Sequence, residues 1–126
     1  MGWAFKKNTN DTRESAAIYV ANNLIKNQIL IDVYDPKVER KQINLDLSQF
    51  TDSYNPKMLR VLDVPDKNLS TYNTIAILTE WDEFKNYDWE NIYKNMKKPA
   101  YLFDGRNILD KNKLKSIGFN YVGLGR

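Results

Sequence analysis

Lys6, Arg13 and Arg106 are the residues whose types and settings offer chemistry in this chain. Lys6 follows the apolar run Gly2 to Phe5, which reads as the end of a strand. Open α/β sheets place ligands at the carboxyl ends of their strands, so its ammonium is set to reach a sugar hydroxyl or a phosphate. The plainer alternative is a solvated lysine beside a core aromatic, Phe5. Arg106 closes Asp104-Gly105-Arg106, just after the apolar stretch Ala100 to Phe103. Gly105 lets the backbone turn sharply, and the planar guanidinium suits phosphate or ribose oxygens. Asp104 then holds Arg106 or a loop amide in place; otherwise this is a strand-end turn with an exposed arginine. Arg13 reads as first-turn helical, where the helix dipole mildly disfavours a cation. A residue set against local preference invites a functional explanation, with pairing to Glu14 or Asp11 as the alternative. Glu80 and Trp81 follow another apolar run and read as a structural acceptor and a core or rim aromatic. Nothing in the spacing of Asp104 with Asp110, or of Glu80 with Glu83, singles out an acid–base pair.

Composition removes many chemistries. The chain has no cysteine and no histidine. It therefore offers no thiol nucleophile, thiolate metal site, disulfide or imidazole base. No catalytic residue and no metal site is expected. The net charge of +3 suits an anionic ligand such as a nucleotide diphosphate. The basic residues are scattered among sixteen acids, unlike the dense patch of a nucleic-acid binder. No apolar run approaches the roughly 20 residues of a membrane span, and the start lacks a signal-peptide pattern, which points to the cytoplasm. The 126 residues amount to one domain.

The elements that must position these side chains follow from periodicity and punctuation. Asp11 and Glu14 offer a capping box for a helix over 13–26, with Ala17, Val20, Ala21, Leu24 and Ile25 on one face and Asn27 closing it. Residues 29–34 read as a β-branched strand ended by Asp35-Pro36, so strand, helix and strand open a βαβ unit. Residues 42–47 alternate like a short strand. Residues 48–65 carry mixed signals, with 57–62 either helix or strand. A buried strand is expected over 74–78 and a single helical turn over 82–85. A helix capped by Asp88 carries Trp89, Ile92, Tyr93 and Met96 on one face and stops at Pro99. A strand follows over 100–103, then a helix from Asp110 to a C′ glycine at Gly118, then a strand over 119–124. The fold class is α/β, a Rossmann-like three-layer sandwich with a mainly parallel sheet of about five strands and three or four helices.

Two segments are more particular than a fold requires. One runs Gly2-Trp3-Ala4-Phe5-Lys6-Lys7-Asn8-Thr9-Asn10-Asp11-Thr12-Arg13-Glu14-Ser15. The other runs from Thr79-Glu80-Trp81-Asp82-Glu83-Phe84 to Phe103-Asp104-Gly105-Arg106-Asn107. With Asp35-Pro36 and Ser116-Ile117-Gly118-Phe119, they resemble the C-terminal, UDP-binding domain of the UDP-glucose 6-dehydrogenases, within the UDP-glucose/GDP-mannose dehydrogenase superfamily. The resemblance is weakest over 47–72, and Thr79-Glu80-Trp81 favours the UDP-glucose branch.

The resemblance implies a domain that holds UDP-glucose while the rest of an NAD-dependent enzyme oxidises it to UDP-glucuronate. Phe5, Lys6 and Arg106 then correspond to substrate-binding residues, and Arg13 to one on the cofactor side. The family's catalytic cysteine, its active-site lysine and its Gly-rich NAD loop lie upstream of such a domain. The chain is accordingly expected to be inactive alone and to bind no NAD by itself. Its expected partners are UDP-glucose and the missing NAD-binding and catalytic domains, with homo-oligomers open, and neither nucleic acid nor membrane. In the family a longer apolar strand runs into Gly2-Trp3-Ala4-Phe5-Lys6, so the resemblance implies that Met1 is expected to mark either a domain excised from a longer chain or a gene fragment that has lost its front. The alternative function is a stand-alone, non-catalytic interaction or regulatory module that keeps the fold.

Overall fold

The structure is a computed structural model describing residues 1–51 and 54–125. Its five strands all pair in parallel, in two sheets of two and three strands. The chain divides into two compact units, Met1–Pro65 and Asp66–Arg126. The α/β class with parallel pairing is as expected; the single sheet of about five strands is replaced by two smaller ones.

In the first unit, β1 (Ile31–Tyr34) pairs with β2 (Leu59–Leu62), Val33 opposite Val61. Parallel neighbours need a crossover, and α2 (Arg40–Phe50) supplies it. Helices α1 (Ala16–Lys26) and α2 contact each other, α1 meeting β1 and α2 meeting β2. Ala17, Ala21 and Ile25 of α1, Ile43 and Leu47 of α2, and Val33 and Val61 of the sheet form the core with Trp3 and Ala4.

Several sequence expectations change in this unit. Residues 42–47 lie inside α2 rather than in a strand. Ile43 and Leu47 are buried at helical spacing while Leu45 between them is 43% exposed, which an alternating strand face would not give. Residues 57–62 split into a 3-10 turn over Pro56–Met58 and then β2. Asp52 and Ser53, in the mixed stretch before them, lie outside the described residues. Ile29 and Leu30 lie between β1 and the turn at Asn27 and Gln28, where Gln28 has a φ of 63°, and both are exposed.

The apolar residues 2–5 form no strand. The Gly2 N–H reaches Tyr34 O at 2.8 Å, beside the carboxyl end of β1. The next two amides leave the ladder and bind the Asp35 carboxylate, Trp3 N at 2.7 Å and Ala4 N at 3.0 Å. The other Asp35 oxygen accepts from Lys37 N and Val38 N at 2.8 and 3.0 Å. Four backbone donors thus converge on one buried carboxylate. Burial is the largest single influence on this group and would raise its pKa. The four amide bonds together hold it below the ordinary carboxylate value.

In the second unit the strand order is β3 (Thr74–Ile77), β4 (Tyr101–Asp104), β5 (Asn120–Gly123). The turn α3 (Asp82–Lys85) and the helix α4 (Trp89–Asn95) cross from β3 to β4, and α5 (Lys111–Ile117) crosses from β4 to β5. The caps follow the expected chemistry. Asp88 accepts from Asn91 N, and Asp110 accepts from Asn112 N and Lys113 N. Gly118 ends α5 at a φ of 128°, and a Cβ there would lie 2.5 Å from the Tyr93 ring. Trp89 is buried, meets Phe119 edge-on and donates its indole N–H to Phe84 O. Among the described residues the chain has five α-helices and two 3-10 turns, one more α-helix than the upper expectation.

Replacing Asp35 with Asn exchanges one oxygen for an amino group and leaves about two amides without an acceptor. At roughly 1–3 kcal/mol for each orphaned buried donor, the loss should be about 2–6 kcal/mol by denaturant unfolding. The depressed folded-state pKa also fixes a sign. Asp35 contributes its full stability above the unfolded value of about 4 and loses it as pH falls through the lower folded value. The acid limb of the stability profile should therefore be steeper for the wild-type chain than for Asp35→Asn.

Candidate functional site

Candidate site residues occur in each unit, before α1 in the first and on the loops after β3 and β4 in the second. In the first unit the Asp35 carboxylate fixes the backbone up to Ala4, and Phe5 N donates to Asp11 O at 2.8 Å. Ser15 Oγ donates to Trp3 O at 2.7 Å and accepts from Ala17 N, so one hydroxyl ties this segment to the start of α1. The buried Trp3 donates its indole N–H to Asp46 of α2 at 2.9 Å. The backbone is thus pinned on both sides of Phe5 and Lys6, whose side chains are exposed. Lys6 follows no strand, contrary to expectation; it stands in a turn held by side chains.

Arg13 also sits outside the element assigned to it. Helix α1 starts at Ala16 with Ser15 as its cap, and Glu14 has a φ of 62°, so no capping box forms there. Asp11 instead closes a turn by accepting from Arg13 N at 3.0 Å. The same carboxylate takes the side-on edge of the guanidinium, Nε to Oδ1 at 3.0 Å and Nη2 to Oδ2 at 2.7 Å. Arg13 is 87% exposed. Its side-chain bond, and then its backbone N–H, bring the Asp11 pKa down to about 2. The pair therefore persists across the neutral range, and an anion reaching this edge of Arg13 has to displace Asp11.

In the second unit the site forms where β3 and β4 end side by side, Ile77 opposite Asp104. Asp104 is fully buried. Its carboxylate accepts from Arg106 N at 3.2 Å, Leu109 N at 2.8 Å and the Tyr121 hydroxyl at 2.9 Å. Gly105 N donates to Ile77 O at 2.9 Å, drawing the loop against the end of β3. A Cβ on Gly105 would stand 3.0 Å from that carbonyl and 3.2 Å from the Phe103 ring, a tight fit that glycine avoids. Arg106 Nη2 then meets Glu80 Oε2 at 2.8 Å, across from the loop after β3. Both side chains are about 30% exposed, at 32% and 28%.

Sequence reasoning placed Arg106 and Asp104 at this edge but left Glu80 as a generic acceptor. Its partner is 26 residues away, and only the parallel register of β3 and β4 shows the pairing. Asp35 had a signal, the Asp-Pro pair after a strand, but read as punctuation. Among the described residues no group of three or more His, Cys, Asp or Glu could hold a metal ion. No described helix is long and apolar enough to cross a membrane.

Residues 1–111 match the UDP-glucose/GDP-mannose dehydrogenase family, UDP binding domain. This chain belongs to that family. A UDP-glucose 6-dehydrogenase of Drosophila melanogaster is 44% identical over all of the chain, and one of Bos taurus is 42% identical. A third, UDP-glucose 6-dehydrogenase 3 of Oryza sativa subsp. japonica, is also 42% identical. The chain spans only 27%, 26% and 29% of these relatives. An NDP-N-acetyl-D-galactosaminuronic acid dehydrogenase from Methanosarcina mazei Go1 shares the fold, with a TM-score of 0.77 over 99% of the chain and 23% of its own. Identity to it is 22%. The Rossmann-like α/β expectation and the family resemblance are thus both borne out.

The Gly105 carbonyl contact gives this UDP-binding domain a measurable constraint. Gly105→Ala should lower stability by about 1–3 kcal/mol, the usual range for forcing a methyl into a filled space. Thermal unfolding followed by circular dichroism checks it.

Proposed function

We propose that this chain is the nucleotide-sugar-holding domain of a UDP-glucose 6-dehydrogenase, which oxidises UDP-glucose to UDP-glucuronate with NAD. The identity to UDP-glucose 6-dehydrogenases along the whole chain carries the reading. The charge at the loops supports it, since Lys6 and Arg106 are cations on backbone that is already fixed. In this role Arg106 presents its remaining guanidinium protons to the diphosphate or ribose. Lys6 offers a compact point charge to a sugar hydroxyl or phosphate, and Phe5 offers its exposed ring beside it.

NAD, when bound to the whole enzyme, accepts the hydride. This chain's residues fit it at one point, Arg13, an exposed cation suited to an anionic group of the dinucleotide. That contact requires Arg13 to leave Asp11. The chain has no cysteine, so the thiol that this family's chemistry uses has to come from the NAD-binding and catalytic domains, which are the proposed partners. The reading also places the protein in the cytoplasm.

An NMR titration of the 126-residue chain with UDP-glucose tests the assignment. Saturable shifts are expected, with affinity in the millimolar range, about −4 kcal/mol. Lys6→Ala and Arg106→Ala should each weaken it about three- to tenfold. Shifts insensitive to both substitutions, or no shifts at millimolar ligand, would overturn this assignment of the two residues and favour a non-catalytic interaction module.

A further inference from the structure

We propose that Glu80 is a positioning residue for Arg106, holding one end of the guanidinium so that the rest is presented to the nucleotide's phosphate or ribose oxygens. This deepens, and rests on, the reading of Arg106 as a substrate-binding residue.

Four observations carry it. The loops bearing the two residues leave the carboxyl ends of neighbouring parallel strands, so strand register sets their separation. Both backbones are fixed: Thr79 and Trp81, on either side of Glu80, are buried, and Arg106 N is held by the buried Asp104. The Nη2–Oε2 contact of 2.8 Å joins side chains that are each about two-thirds covered, so solvent screens it less than a surface pair. Among the described residues, Glu80 engages Arg106 through Nη2 alone. Asp11, by contrast, closes on both Nε and Nη2 of Arg13. An arginine carries five N–H donors, so the single contact orients the plane and leaves most of the donors for a ligand.

The physical gain is preorganisation. A free arginine side chain has many rotamers, and ordering them on binding weakens affinity. A carboxylate close to an incoming phosphate also repels it. The two effects have opposite signs, and substitutions separate them. Glu80→Ala removes both the tether and the charge. Glu80→Gln removes the charge but keeps a neutral acceptor.

The experiment measures UDP affinity of the 126-residue chain by calorimetry or NMR for wild type, Glu80→Ala, Glu80→Gln, Arg106→Ala and the double variant Glu80→Ala/Arg106→Ala. The Arg106 Nε–H resonance is followed in parallel as a report on guanidinium order. Glu80→Ala should weaken UDP binding about three- to tenfold, with Glu80→Gln recovering part of the loss. In the Arg106→Ala background, Glu80→Ala should change affinity less than twofold. The Nε–H signal should be ordered in the wild type and averaged by motion in Glu80→Ala. Unchanged or tighter binding in Glu80→Ala overturns the proposal, as does an equal loss with and without Arg106. An Nε–H signal already averaged in the wild type overturns it too, without any ligand. If Arg106→Ala leaves UDP affinity unchanged, the assignment of Arg106 to the substrate fails and takes this inference with it. The Nε–H signal then still reports separately whether Glu80 holds the guanidinium.

Discussion

At the carboxyl ends of β1 and β4 the backbone leaves a hydrogen-bonded ladder and enters a loop whose amides still need acceptors. In both places a buried carboxylate collects them. Asp35, one residue past β1, takes four amides from two separate loops. Asp104, the last residue of β4, takes two amides and a tyrosine hydroxyl. A buried carboxylate without such donors would be costly to charge; with them it becomes the fixed point from which the loop geometry follows. Lys6 and Arg106, the cations proposed to meet the substrate, each stand within a few residues of a segment fastened this way.

The two arginines show how different a cation can be when its surroundings differ. Arg13 is almost wholly exposed, yet its side-on edge is closed by a carboxylate two residues away. Arg106 is about two-thirds covered and is held by a carboxylate from a neighbouring strand's loop through one nitrogen. Local sequence sets the first pair, because an Asx turn brings Asp11 and Arg13 together without tertiary help. Tertiary structure sets the second.

That contrast also explains what could be read before the structure was known. The second unit was legible because its punctuation is strong. Asp88 and Asp110 cap helices, Pro99 and Gly118 end them, and β-branched or aromatic runs mark the strands between. The first unit was less so. Ile43, Leu45 and Leu47 alternate with polar residues, and this pattern fits a strand until Leu45 is seen turned outward on a helix. Residues 2–4 are buried without pairing in a strand, and a side chain some thirty residues away takes the amides that a ladder would have used. Candidate site residues were legible by type and by place in the chain. Glu80, the partner of Arg106, and Asp35, the anchor of the backbone before Phe5, were not, because contacts across 26 to 32 residues are set by tertiary structure.

The fastening at Asp35 separates scaffold from reagent. Its four donors are main-chain N–H groups, which every residue but proline supplies, so holding the first loop makes no demand on the side chains it presents. Phe5 stands 47% exposed beside an exposed Lys6, and neither side chain serves the anchor. The tip of this loop can therefore be rewritten, one exposed side chain for another, without disturbing the anchor that supports it. Asp35 has no such freedom.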